Sequence, residues 1–399
     1  MRSVTAGLAL VGLFAAGCAA PVGGPDAGEA VPRPRPAGTF YRPPMPLPPG
    51  PPGGLIRSEP VTAPAGVRGW RILYHSRGVS GADVAVSGTV FVPATATPPG
   101  GRHVVAWAHG TTGSGDSCAP STDPHPLNGI EDGAPLVAAG DAIVATDYEG
   151  LGTPGPHPYL VGTSEAHSVL DAVRAAAELP GTGIGRSFVV FGHSQGGQAA
   201  LFTGELAAGY APELRLLGVA AASPPTDLPA LARRAGALGY GIGYLIELAA
   251  GYSATDPSAR LRSIMTRSGA VYLHLVEDGC NDDLVTAYTG STVHDTFTRD
   301  PRTTLPWSTG LARGSTGPLP ARLPILIMQG ARDPIVPADL TAAAVRRMCQ
   351  GGDTVDYRLY PGAAHNVVPS ATDLLNTWIT ARFHHDAAPR TCGVPPARH

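Results

Sequence analysis

The chain has 399 residues, enough to bury a large core, which fits one large α/β domain with an insertion, or two domains. Its formal net charge of −3, with no basic block or stripe, speaks against a nucleic-acid binder and leaves small molecules as the expected partners. Charged residues make up only 15%, against 52 glycines and 42 prolines, a balance that fits a compact extracellular protein.

Arg2 precedes an apolar run over 4–16 that is too short to span a bilayer and ends in Ala15-Ala-Gly-Cys18. This pattern predicts an export signal over 1–18. Small residues before a cysteine resemble a bacterial lipobox, in which Cys18 is lipidated and anchors an extracellular or cell-surface protein to a membrane. Residues 19–39 are proline, glycine and alanine with scattered charges, offer nothing to bury, and read as a disordered tether. From 40 to 60 aromatic and aliphatic anchors join the prolines, and this stretch is expected to lie extended along the domain. With Cys18 lipidated, Cys118, Cys280, Cys349 and Cys392 remain, an even number suited to an oxidising compartment and open to three pairings. Their wide spacing argues against a zinc site, and no metal or organic cofactor is implied.

The core begins with strand-like runs over 69–76 and 83–92, the second alternating as a half-buried antiparallel strand does. Buried strands follow over 104–110, ending in His109-Gly110, and over 142–147. Apolar positions from Ala166 to Ala177 recur at helical spacing and predict a helix over 164–179, with Thr163 or Ser164 as its cap. A strand over 188–191, a helix from Gln195 to about 213 and a strand over 216–222 continue the alternation that implies a mainly parallel sheet. The pattern then breaks over about 223–319 into helical pieces at 228–237, 239–250 and 258–267, which read as a cap inserted over the active site. The polar run 278–283 lacks the ligand spacing of a calcium loop and is expected to be a polar loop pinned by a disulfide. The sheet resumes at 324–330 and 355–360, with helices at 337–349 and 370–383.

Gly192-His-Ser-Gln-Gly196 lies between an apolar strand and a helix, so Ser194 is forced into a strained turn that lifts its hydroxyl clear of the sheet. A serine hydroxyl needs a base to take its proton, an imidazole suits that task near neutrality, and the imidazole needs an acid to hold its tautomer. In the α/β-hydrolase chain order of Ser, Asp, His, the acid and base follow late strands, where Asp333 and His365 stand. Asp353 and Asp356 are rival acids, and His384 and His385 rival bases, each less well placed. The backbone N–H of Gln195 is one donor for the tetrahedral oxyanion, and a second is expected from 109–112 or 147–150.

The block Asp147-Tyr-Glu-Gly-Leu-Gly-Thr-Pro-Gly-Pro-His-Pro-Tyr159, the elbow, Ala106-Trp-Ala-His-Gly-Thr-Thr112 and Phe40-Tyr-Arg-Pro-Pro together resemble the secretory lipase family. The resemblance covers about 40–399 and implies an α/β-hydrolase fold, a mostly parallel sheet with helices on both faces and an inserted helical cap. It implies hydrolysis of carboxylic esters, often lipid esters, and puts the oxyanion residues at Asp147 and Gln195. It also implies the disulfides Cys118–Cys280 and Cys349–Cys392. The expected function is that of a secreted serine esterase or lipase. The alternatives are an acyltransferase of the same fold and a catalytically inactive hydrolase fold used as a surface-binding module.

Overall fold

Among the described residues, ten strands form one sheet in the order β1-β2-β3-β5-β4-β6-β7-β8-β9-β10. They are β1 (Leu55–Val61), β2 (Val67–Arg77), β3 (Asp83–Pro93), β4 (Arg102–Ala108), β5 (Ala142–Thr146), β6 (Ile184–His193), β7 (Arg215–Ala222), β8 (Pro324–Gly330), β9 (Thr354–Tyr360) and β10 (Ala397–Arg398). The computed structural model describes residues 38–320 and 323–392 and the backbone of 397–398. The expected export signal, Cys18 and the tether up to residue 37 lie outside the described residues. The pairs β1–β2, β2–β3 and β3–β5 are antiparallel, and every pair from β5 to β10 is parallel. The chain is therefore an α/β protein with a mostly parallel sheet.

The central strands are continuous apolar runs because both faces of the sheet are covered. Along β4, Val104, Ala106 and Ala108 face one layer while Val105 and Trp107 face the other. The first layer holds α2 (Gly162–Glu178), α3 (Gln195–Tyr210) and α10 (Ala338–Gln350), and the second holds α1 (Gly133–Ala138) and α11 (Val368–Phe383). Phe188 and Phe191 of β6 are fully buried on opposite faces, and truncating either to alanine is expected to cost about 3–5 kcal/mol. The expected half-exposure of β3 does not hold: from Ala85 onward it is buried on both faces, since its alternate residues also meet a covering layer.

Two further expectations need adjusting. The proline-rich stretch does lie along the domain, and its 55–61 segment is the edge strand β1, where Pro60 is tolerated because an edge need not donate on both sides. Helix α2 starts at Gly162 and neither Thr163 nor Ser164 caps it; the Glu165 carboxylate accepts the Leu160 N–H at 3.0 Å, and the Ser164 hydroxyl donates to Glu149.

Between β7 and β8 lies a helical layer: α4 (Leu228–Ala235), α5 (Gly241–Ser253), α6 (Leu275–Asp278), α7 (Asn281–Ala287), α8 (Val293–Thr296) and α9 (Trp307–Arg313). It has its own apolar cluster, in which Leu228, Ile242, Ile246, Trp307 and Leu311 pack with Tyr159 and Leu160 of the loop after β5. The helix expected over 258–267 is only a short 3₁₀ turn, Leu261–Ile264, since Met265 leaves it to bridge Phe297. The polar run 278–283 is split between helix ends. Cys280 caps α7, and the Asp283 carboxylate accepts the Cys280 N–H at 3.0 Å. Cys280 is bonded to Cys118, and Cys349 to Cys392, with Cα–Cα separations of 5.5 and 5.6 Å. Among the described residues, no helix is long and apolar enough to cross a membrane.

Candidate active site

Strand β6 turns directly into α3 at Ser194, whose φ of 56° and ψ of −121° place it in strained backbone. The turn closes this tightly because Gly192 and Gly196 lack side chains. A Cβ on Gly192 would collide with the carbonyl of Gly196, and one on Gly196 with that of Ala108. The Ser194 N–H is tied to the Ala222 carbonyl of β7 at 2.8 Å, so two strands hold the elbow.

His365, in the loop after β9, places Nε2 2.9 Å from Ser194 Oγ, and its Nδ1 lies 2.9 Å from Asp333 Oδ2. Asp333 follows β8. Its Oδ1 accepts the N–H groups of Ile335 and Val336 at 2.9 Å each, and its Oδ2 also accepts from Gln329 Nε2 at 2.9 Å. Burial pushes the Asp333 carboxyl up, but the hydrogen bond and charge of His365 and the two backbone donors outweigh it and hold the pKa below its ordinary value. With that carboxylate on Nδ1, the Nε2 lone pair is free to accept the serine proton. The rivals lie elsewhere: Asp353 accepts the Leu319 N–H, Asp356 pairs with Arg358, and His384 and His385 are exposed beyond α11.

Gln195 is the first residue of α3, where a backbone N–H has no partner within its helix. Its buried side chain is pinned, with Nε2 donating to Glu165 Oε1 at 2.8 Å and to His157 Nε2 at 3.1 Å. His157 Nδ1 donates to the Glu149 carbonyl at 2.8 Å, which leaves Nε2 as an acceptor and the ring neutral. Burial accordingly lowers the His157 pKa to about 4, and burial also raises that of Glu165 to about 8.

Asp147 does not take the expected place. Its N–H donates to the Ser87 carbonyl at 2.8 Å as the chain leaves β5. Its carboxylate accepts the Ser121 N–H at 2.9 Å, the Ser87 hydroxyl at 2.6 Å and the Ser121 hydroxyl. With these partners Asp147 braces the loop behind the site and has no donor left for an oxyanion. The competing loop reaches the pocket instead. Gly110 and Thr111 line it beside Ser194 and Gln195, and a Cβ built on Gly110 would lie 3.7 Å from Ser194 Cβ.

The pocket over Ser194 encloses about 190 Å³ and is walled mainly by Leu231, Leu238, Leu245 and Leu248 of the helical layer and by Ile335 and Val336. Tyr240 and Tyr244 also line it, whereas Ile242 points into the layer's own core. The Cys118–Cys280 bond joins this layer to the loop after β4 at the pocket edge, where Gly113 bridges Cys280 and the Asn281 N–H donates to the Thr112 carbonyl at 2.9 Å.

Sequence reasoning missed three residues around His365. His193 Nδ1 lies 2.9 Å from Glu131 Oε1, and its Nε2 donates to the His365 carbonyl at 3.1 Å. Ser223, with a φ of 46°, donates its hydroxyl to that same carbonyl at 2.8 Å. The Ser223 signal was only its place at the end of β7, and nothing in the spacing pointed to Glu131.

Residues 133–390 match the family described as secretory lipase. The chain is 25% identical over 389 residues to a secreted triacylglycerol lipase of Malassezia globosa, covering 90% of this chain and 81% of that one. It is 25% identical over 370 residues to a protein of Mycobacterium tuberculosis named as a probable inactive lipase, covering 86% and 81%. Its fold is similar to that of Candida antarctica lipase A in its closed state, with a TM-score of 0.77 and 20% identity over 90% of this chain and 89% of that one. The chain belongs to the secretory lipase family and is, with it, a carboxylic ester hydrolase on an α/β-hydrolase fold.

Proposed function

We propose that this chain is an exported serine hydrolase that cleaves lipid or alkyl esters through an acyl-enzyme on Ser194. The observation that carries the reading is the unbroken line from Asp333 through His365 to Ser194, with 2.9 Å at both steps, opening into an apolar pocket. In this reading Ser194 Oγ attacks the ester carbonyl as His365 Nε2 takes its proton, and Asp333 steadies the imidazolium. The N–H of Gln195 and one from the Gly110–Thr111 turn receive the oxyanion. The alcohol leaves with the proton from His365, and water, deprotonated by the same ring, then releases the acid.

The leucine-lined pocket suits an alkyl chain, and the secreted triacylglycerol lipase among the relatives supports a lipid substrate. The proposal takes 40–399 as one catalytic domain with about 223–319 as its cap. Export rests on the apolar 4–16 run, and attachment to a bacterial cell surface rests on Cys18. The intact hydrogen-bonded set favours an active enzyme over an inactive binding module. The test is hydrolysis of p-nitrophenyl esters of short, medium and long acyl chains by the wild-type protein and by Ser194→Ala. The variant should fold normally and lose activity on the order of a million-fold. Near-wild-type turnover by the purified variant, or no hydrolysis of any ester by the wild type, sinks the proposal.

A further inference from the structure

His365 sits on a loop anchored after it by the buried Val367 and Val368, while its nearer neighbours Gly362, Ala364 and Asn366 are exposed. Its backbone carbonyl accepts the Val367 N–H of the same loop at 3.0 Å and is gripped from outside the loop by Ser223 Oγ at 2.8 Å and His193 Nε2 at 3.1 Å. A carbonyl only accepts, so the His193 Nε2 must carry a proton. The other nitrogen, Nδ1, faces Glu131 Oε1 at 2.9 Å. A neutral ring protonated on Nε2 would turn a lone pair toward that carboxylate, whose second oxygen is buried and has no hydrogen-bond partner among the described residues. Both contacts are satisfied at once by an imidazolium that donates in both directions.

The surroundings agree with a charged ring. His193 faces Glu131 from the segment before α1, His365 from the loop after β9 and Asp333 from the loop after β8. Burial by itself favours the neutral form, but the hydrogen bond and charge of Glu131, then the His365 carbonyl and Asp333, raise the His193 pKa above its ordinary value. The ring centroids of His193 and His365 are 4.9 Å apart, so the two imidazoles are neighbours as well as being linked through the His365 carbonyl.

We propose that His193 is a positioning residue: carrying a positive charge fixed by Glu131, it clamps the His365 carbonyl together with Ser223 and so holds the imidazole in line with Ser194. The inference rests on the assignment of His365 as the base. It places part of the catalytic precision in the second residue of the Gly-His-Ser-Gln-Gly turn, one position before the nucleophile.

Nuclear magnetic resonance of the full-length protein, labelled with ¹⁵N at histidine, reads the charge without any turnover, the His193 signals being those missing from His193→Gln. Both ring nitrogens of His193 should be protonated at neutral pH, and the pattern should disappear in Glu131→Gln. In hydrolysis of p-nitrophenyl butyrate, His193→Leu should lower kcat about tenfold, the worth of one charge-assisted hydrogen bond, with KM changed by less than about twofold. His193→Gln, which keeps an N–H donor of similar reach, should recover most of that loss. A neutral His193 at neutral pH, or a His193→Leu kcat equal to wild type, overturns the proposal. Activity retained by Ser194→Ala would instead remove the nucleophile assignment, and the charge of His193 would still be read by its resonances.

Discussion

Replacing both Cys118 and Cys280 with alanine should destabilise the protein heavily while leaving its catalytic geometry largely in place. The bond closes a loop with a sequence separation of 162 residues. In the chain-entropy account, a loop of that length restricts the unfolded chain by about 5 kcal/mol, against about 4 kcal/mol for the shorter loop closed by Cys349 and Cys392. Such values run high, because unfolded chains are more compact than ideal coils, so a loss of about 3–5 kcal/mol is expected. The contacts beside the bond should persist without it: the Asn281 N–H donates to the Thr112 carbonyl at 2.9 Å and the Gly115 N–H to the Gly279 carbonyl at 3.3 Å. Equilibrium urea unfolding, followed by tryptophan fluorescence, measures the loss. The slope with denaturant should steepen as the unfolded state expands. A loss below about 1 kcal/mol with an unchanged midpoint would refute the reasoning. Collapse of ester hydrolysis at full stability would mean that the bond's work is to seat the helical layer over Ser194.

Asp333→Asn should lower kcat by about ten-thousand-fold by corrupting the imidazole tautomer, and equal damage from Asp353→Asn would show that the acid is misassigned. Leu245→Trp should shorten the preferred acyl chain with little loss on acetate esters, at about fourfold for each methylene that loses its contact; parallel loss at every chain length would place the acyl site elsewhere. Ile242→Trp, three residues away but packed in the layer's core, should instead cost about 1–3 kcal/mol of stability by overpacking, read as a lowered urea midpoint. Burial raises the Glu165 pKa from 4.5 to about 8, so between those values the folded state holds a proton that the unfolded state has lost. Stability contributed at low pH is therefore lost as pH rises through that window, and Glu165→Gln should flatten the decline in unfolding free energy between pH 5 and 8. Equal slopes in the two proteins would show that Glu165 is not the group responsible.

The strands and long helices were legible because backbone geometry writes its period into the side chains. The apolar runs at 104–108 and 188–191 and the helical spacing from Ala166 to Ala177 each report a local repeat. Ser194, Asp333 and His365 were legible for a related reason, since each stands at the end of a recognisable strand. The edge strand β1 was hidden by its proline, and the short helices α6 to α9 span too few turns to show a period. The second oxyanion donor of the proposed mechanism was harder. The segments 109–112 and 147–150 both follow buried strands, and only the folded chain shows the Asp147 N–H and carboxylate spent on Ser87 and Ser121 while Gly110 and Thr111 face the pocket.

By itself, then, the sequence determined the order of the central strands and long helices, the elbow and the choice of the three residues now in line, because all of these follow from local periodicity and from position along the chain. Tertiary structure decided which polar groups meet: Gln195 with Glu165 and His157, His193 with Glu131, and Ser223 with the His365 carbonyl. Those pairings join segments far apart in the chain. A buried donor must find an acceptor within about 3 Å, and only the packed sheet and its loops set which one comes that close.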